Sequence, residues 1–160
     1  MTRLISSFKD KYDFLSNFYP VTVRFEDMNY PTVEHAYQAS KSKEYFFRKL
    51  IVALPSSKAG VAKRRGNTIR LRSDWEDVKI QIMYELLCNK FEQEPFGTYL
   101  LETDDSMIIE GNHRHDNFWG ICYCGKDRCK DKGKNWMGKL LMNIRRQIRD
   151  KDTCDRRYSQ

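Results

Sequence analysis

Trp75-Glu76-Asp77-Val78-Lys79-Ile80-Gln81-Ile82-Met83-Tyr84-Glu85-Leu86-Leu87-Cys88-Asn89-Lys90-Phe91 decides the fold class of this 160-residue chain. Trp75, Val78, Ile82, Met83, Leu86 and the Lys90-Phe91 turn recur at helical spacing, which puts one face on a core. Asp74 stands where an N-cap is expected. Outward from this helix, the same period predicts helices over residues 33 to about 43 and 44–54, the second stopped by Pro55. A short basic helix capped by Ser56 or Ser57 ends near Gly66, and another runs from Pro95 through Leu101. A final amphipathic helix, capped by Asn135, carries Trp136, Leu140, Leu141, Ile144 and Ile148.

The β signal is small. Residues 21–25 alternate apolar and polar ahead of a turn-forming cluster at 26–29 and then Tyr30, which predicts a hairpin, and residues 107–109 suit a short strand. Residues 111–134 form a long, polar, Gly-punctuated loop of the kind that carries function. The predicted fold is mainly α, an α+β arrangement with a small N-terminal β-hairpin. One compact domain is expected over residues 1–149, followed by a charged tail, 150–160, that frays.

Composition agrees with a globular chain. Charged residues make up 32% and aromatics 13%, and mean hydropathy is -0.75, which excludes both a disordered polar chain and a membrane protein. No stretch escapes charge for the ~18 residues of a membrane span, and no signal peptide is recognised at the start. A cytoplasmic location is expected. Five scattered cysteines, Cys88, Cys122, Cys124, Cys129 and Cys154, form no disulfide framework and suit a reducing compartment.

The net charge of +7 is unevenly placed. Residues 1–112 hold 16 basic and 16 acidic side chains, whereas residues 113–160 hold 13 basic and 6 acidic. An anionic partner, nucleic acid among the candidates, is expected to approach the last stretch; a solubilising basic tail is the plain alternative.

The chemistry-bearing segment is Glu34-His35-Ala36-Tyr37-Gln38-Ala39-Ser40-Lys41. On a helix, Glu34, Gln38 and Lys41 stand at i, i+4 and i+7, so a carboxylate, an amide and an amine share one stripe. In an isolated helix the same pattern is an ordinary solvated ladder. Its neighbours decide between these readings.

Phe14-Leu15-Ser16-Asn17-Phe18-Tyr19-Pro20 and then Tyr30-Pro31-Thr32-Val33-Glu34-His35-Ala36-Tyr37-Gln38-Ala39-Ser40-Lys41 resemble the opening motifs of the NADAR (YbiA-like) family. Arg70-Leu71-Arg72-Ser73-Asp74-Trp75, Met83 with Lys90-Phe91, Leu100-Leu101-Glu102-Thr103 and Ile109-Glu110 follow in order. His115-Asp116-Asn117-Phe118-Trp119-Gly120 and Gly133-Lys134-Asn135-Trp136-Met137-Gly138-Lys139-Leu140-Leu141-Met142 complete the series. The resemblance covers residues 14 to about 149. It implies a mainly helical enzyme that hydrolyses N-glycosidic bonds, either in riboflavin-pathway intermediates or between ADP-ribose and the amino group of guanine. No cofactor is implied.

The resemblance assigns catalytic roles to Glu34, Lys41 and Asp116. Cleaving a ribosyl C–N bond develops positive charge at the anomeric carbon while the leaving nitrogen takes a proton. Glu34 would stabilise that charge or orient water. Lys41 would attack the aldehyde of a ring-opened ribose to form an imine, which requires burial or a neighbouring cation to lower its pKa. A Lys41 that stays protonated would only donate hydrogen bonds or pair with phosphate. Asp116 would accept from ribose hydroxyls or assist proton transfer. Asn17, Gln38, Trp75, Trp119, Gly120, Lys134 and Asn135 are the expected substrate contacts. Trp75 and Trp119 are equally readable as core anchors, Asn17 as a loop brace and Asn135 as a helix cap.

Between Trp119 and Asn135 the chain departs from the simplest family pattern by inserting Cys122, Cys124 and Cys129. C-x-C-x4-C with His113 and His115 upstream is compatible with zinc. Paired C-x2-C knuckles are missing, so free loop thiols are the default and no metal is expected. The same loop offers Lys126, Arg128, Lys130, Lys132 and Lys134 to a phosphate, and Lys63, Arg64 and Arg65 either add to it or are solvated helix-end charges. The leading expectation is a glycohydrolase that removes ADP-ribose from guanine in nucleic acid or nucleotides. Its alternatives are an N-glycosidase of ribosylaminopyrimidine phosphates, a non-catalytic module binding ADP-ribose or nucleic acid, and a Zn-ribbon-like interaction protein.

Overall fold

A computed structural model describes residues 3–158, with side chains described through residue 151. In chain order the elements are β1 (Leu4–Ile5), a 3-10 turn (Asp10–Leu15), β2 (Val23–Phe25), β3 (Met28–Tyr30), α1 (Val33–Ser40), α2 (Tyr45–Val52) and α3 (Ala59–Gly66). They continue as α4 (Trp75–Phe91), α5 (Phe96–Leu101), β4 (Met107–Ile108), β5 (Gly111–Asn112), β6 (Ile121–Cys122) and α6 (Trp136–Tyr158). The fold is the mainly helical α+β arrangement expected from the periodicity. The backbone divides into two units, residues 14–92 and residues 3–13 with 93–158.

In the unit of residues 14–92, the hairpin pairs β2 with β3 antiparallel, Val23 opposite Tyr30 and Phe25 opposite Met28. Arg48 on α2 pairs with Glu26 at its turn and donates from Nε to the Ser42 carbonyl at 2.8 Å. The hairpin, α2, α3 and α4 all pack around α1. As a result every residue of α1 is buried, although half of them are polar. Thr32 starts this helix from an extended backbone, φ -154°, and its Oγ1 accepts from the His35 backbone N–H at 3.1 Å, supplying one of the bonds a helix N-terminus lacks.

The predicted bounds of α4 hold, and Trp75, Ile82, Met83, Leu86, Lys90 and Phe91 face the core, with Val78 half-buried. Asp74 does not cap it. Its carboxylate accepts from Arg72 Nε at 2.6 Å and Nη2 at 2.9 Å, because a bidentate charged pair outcompetes a single backbone N–H. That guanidinium holds the Asp74 carboxyl well below the usual carboxylate range, at about 2. Ser56 and Ser57 also provide no side-chain cap; they lie in a 3-10 turn that leads directly into α3.

In the other unit, β1 runs parallel to β4 with Ile5 opposite Ile108, and α6 packs on α5 and β4. Ile5, Leu100, Ile108, Met137, Leu141 and Ile144 are buried here. Arg145 is buried too, donating from Nη1 to Thr103 Oγ1 at 2.7 Å and from Nη2 to the Ser106 carbonyl at 3.0 Å. A parallel β5–β6 pair orders part of the predicted loop. Asn135 has a left-handed backbone, φ 50°, and does not cap α6 with its side chain. Its Nδ2 donates to the Ile108 carbonyl at 2.9 Å and its Oδ1 accepts from the Glu110 N–H at 3.1 Å. The backbone of α6 continues to Tyr158; the side chains of 152–160, on which the expectation of a fraying tail mostly falls, lie outside the described residues. No described helix is long and apolar enough to cross a membrane.

Candidate active site

Glu34 sits in the first turn of α1 and is 5% exposed. Burying a carboxylate costs several kcal/mol unless it is hydrogen-bonded. Gln38, one turn on and 2% exposed, donates from Nε2 to Glu34 Oε1 at 2.8 Å. The Glu34–Gln38 part of the predicted stripe is therefore an actual contact. Gln38 Oε1, also buried, has no hydrogen-bond partner among the described residues.

Gly66, at the end of α3, makes this arrangement possible. A Cβ at residue 66 would lie 2.0 Å from Gln38 Oε1 and 2.9 Å from its Cβ and Cδ. A Gly66→Ala chain is expected to push the amide off Glu34, to lose about 1–3 kcal/mol in urea unfolding, and to fall in kcat by roughly tenfold or more. Unchanged stability and kcat together would show that Gln38 is not held this way.

Lys41 follows α1 directly and completes the stripe. Its Nζ donates to Asn67 Oδ1 at 3.3 Å and to the Gly66 carbonyl at 3.4 Å, and lies 5.8 Å from the Tyr37 ring centroid. Burial pushes its pKa down; Glu34 pulls it back up, and Lys63 lowers it further. Burial and a neighbouring cation thus both act to lower the pKa of this amine, against the opposing pull of Glu34. Lys63 itself lies 5.9 Å from the centroid of the part-exposed Phe18 ring.

Asn17 joins the group through its backbone, its carbonyl accepting from the Glu34 N–H at 2.9 Å. Its Nδ2 contacts Met83 Sδ at 3.5 Å, while its buried Oδ1 has no partner among the described residues. A buried acceptor of this kind is suited to a ligand hydroxyl. Trp75 is 6% exposed and packs on Tyr37 with centroids 5.2 Å apart, so it backs the ring that faces Lys41. Asn17, Glu34, Gln38, Lys41 and Trp75 all belong to the unit of residues 14–92.

Three residues that appear in the motifs were given no supporting role by the sequence reading. Lys90 is fully buried and donates from Nζ to the Ser16 carbonyl at 2.8 Å, holding the Asn17 loop. Arg72 ties its segment to the site through its backbone N–H, which donates to the Lys41 carbonyl at 2.8 Å. His35 is fully buried with Nδ1 2.8 Å from Thr32 Oγ1. Burial pushes its pKa down, against a weaker opposing effect of the Pro55 carbonyl. Only the Thr32 cap, a Thr three residues before His35, had a visible local signal.

The remaining candidates occupy the unit containing residues 93–158. Asp116 Oδ1 accepts from the backbone N–H groups of Phe118 at 3.0 Å and Trp119 at 2.9 Å, so it braces the turn that presents Trp119. The half-buried Trp119 ring meets Phe118 edge-on, with centroids 5.0 Å apart. Gly120 permits a close backbone approach: a Cβ there would lie 2.0 Å from the Glu110 carbonyl oxygen. Lys134 is exposed with Nζ 5.4 Å from the Phe118 centroid, and both amide atoms of Asn135 serve the backbone as described.

The NADAR domain model matches residues 5–149. The chain is 38% identical over 143 residues to an N-glycosidase of Nostoc punctiforme, covering 87% of each. It is 34% identical to the N-glycosidase YbiA of Escherichia coli, covering 89% of this chain and 85% of the relative. It is 33% identical to the chloroplastic riboflavin biosynthesis protein PYRR of Zea mays, of which it spans 25%. The solution structure of E. coli YbiA superposes with a TM-score of 0.79 at 33% identity, over 96% of this chain and 89% of that one. The class is that of N-glycosidases, hydrolases acting on N-glycosyl bonds. The chain belongs to the NADAR domain family.

Proposed function

We propose that this N-glycosidase removes ADP-ribose from the exocyclic amine of guanine in nucleic acid or nucleotides. The carrying observation is the buried Glu34 carboxylate, oriented by Gln38, on the same stripe as an amine whose pKa burial depresses. Glu34 stabilises positive charge at the anomeric carbon. In the ring-opened sugar, the Lys41 amine adds to the carbon double-bonded to the base nitrogen. The base amine then leaves with a proton, and water hydrolyses the lysine imine to return free amine and sugar aldehyde. Asn17 Oδ1 is available to a ribose hydroxyl, and Lys63 adds a cation for a phosphorylated substrate. The surplus of 13 basic over 6 acidic residues in 113–160 favours a polyanionic substrate over a small monophosphate.

A second reading, hydrolysis of ribosylaminopyrimidine phosphates, is favoured by relatives named for riboflavin biosynthesis in Zea mays and Vibrio vulnificus. Its linkage is also a ribosyl group on an exocyclic amine, so the same residues serve it. Incubating the full chain with ADP-ribosylated guanine DNA and, separately, with ribosylaminopyrimidine phosphates discriminates the two. Faster release from the DNA is expected. Release from the pyrimidines alone establishes the second reading, and release from neither removes both.

A further inference from the structure

His115, Cys122, Cys124 and Cys129 converge although they are spread over fifteen residues of loop. Their donor atoms all lie within 4.8 Å of one another. From His115 Nδ1 the sulfurs of Cys129, Cys124 and Cys122 stand at 3.2, 3.4 and 4.0 Å. A tetrahedral zinc with Zn–S near 2.3 Å and Zn–N near 2.0 Å has edges of roughly 3.5–3.8 Å between donors. The three distances from the imidazole bracket that edge, and the donor set is the Cys3His of structural zinc sites.

The loop's own bonds build this arrangement. Asn112 Oδ1 accepts from the backbone N–H groups of Arg114 at 3.0 Å and Asp116 at 3.1 Å, bracketing His115, which itself has a left-handed backbone at φ 65°. Asn117 Oδ1 accepts from the Cys122 N–H at 3.1 Å. The Cys129 N–H closes a turn onto the Lys126 carbonyl at 2.8 Å. In the parallel pair, Asn112 stands opposite Cys122, joining the His115 bracket to the first thiol.

We propose that His115, Cys122, Cys124 and Cys129 bind one zinc ion as a closed, structural Cys3His site. Four protein ligands leave no position for water or substrate, so the metal has no catalytic task. On binding, the three thiols release their protons to solvent and no redox step occurs. Three thiolates and Zn2+ leave one net negative charge, which the neighbouring Lys126, Arg128 and Lys130 offset. Because Asp116, Phe118 and Trp119 lie between the first two ligands, the ion would pin the turn that presents the Trp119 ring. Free loop thiols, the default from spacing, are the reading this proposal replaces.

The test begins with the full chain, without a polyhistidine tag, purified in reductant and no chelator. Mass spectrometry of the metal content is expected to find close to one zinc per chain. Chelator-stripped, reduced protein titrated with Co2+ should develop thiolate-to-cobalt charge transfer and tetrahedral d–d bands that saturate at one equivalent and vanish on adding Zn2+. Alkylation should modify Cys122, Cys124 and Cys129 only after stripping. Cys124→Ser and Cys129→Ser should each lose most of the zinc, whereas Cys88→Ser keeps it. Because the cobalt and alkylation arms use the unsubstituted chain, misfolding of a variant does not decide the outcome. A reduced, folded chain that purifies without zinc and takes up no Co2+ overturns the site, as does uptake that Cys88→Ser abolishes and Cys124→Ser does not.

Discussion

A Glu34→Gln chain is expected to lose about a thousandfold in kcat, roughly 4 kcal/mol of transition-state stabilisation, while keeping its fold. Gln at residue 34 retains a carbonyl that can accept from Gln38 Nε2, so the stripe is preserved and only the charge is lost. Removing a buried charge also relieves a desolvation cost. Melting temperature should therefore stay level or rise as turnover collapses, a combination that a merely structural carboxylate would not produce. Release of the base from a saturating substrate measures the first quantity and calorimetry the second. Turnover near the parent rate would take Glu34 out of the reaction.

Borohydride added during turnover is expected to trap the sugar on Lys41 as a secondary amine, and Lys41→Arg to abolish trapping and lower kcat at least about a hundredfold. Arg keeps the positive charge but offers no free amine at any working pH. The pH dependence has a definite sign. Burial and Lys63 lower the Lys41 pKa, so the reactive free amine appears at lower pH than for a solvated lysine. Trapping should rise with pH through that lowered value. Lys63→Gln removes a repelling cation, raises the Lys41 pKa and moves the rising limb to higher pH. Mass spectrometry of the reduced protein reads this directly. An unmodified Lys41 would end the imine mechanism, and a limb that Lys63→Gln leaves in place would show that Lys63 does not set the Lys41 pKa.

The two units differ in how far the sequence foretold them. The Glu34-to-Lys41 stripe was legible because it follows from helical period alone, and the Gln38–Glu34 bond is its direct expression. Asp74 and Asn135 show where local signals failed. Each is a good N-cap residue, yet Arg72 claims the Asp74 carboxylate and the backbone of Ile108 and Glu110 claims the Asn135 amide. Caps are weak enough, about 1 kcal/mol, for a neighbouring guanidinium in the first case and a distant backbone in the second to outbid them. The β1–β4 pair was not legible either, since two-residue strands have no period and its partners lie about a hundred residues apart.

By itself the sequence determined the helices, the hairpin and the family, because periodicity and ordered motifs are written locally. Only the tertiary structure decided that α1 is buried on every side, that Gln38 lies against Gly66, and that Lys41 sits where burial depresses its pKa. It alone drew three thiols and an imidazole to one point. Desolvation and convergence depend on atoms that the chain brings together from distant positions, and no spacing along the sequence records them.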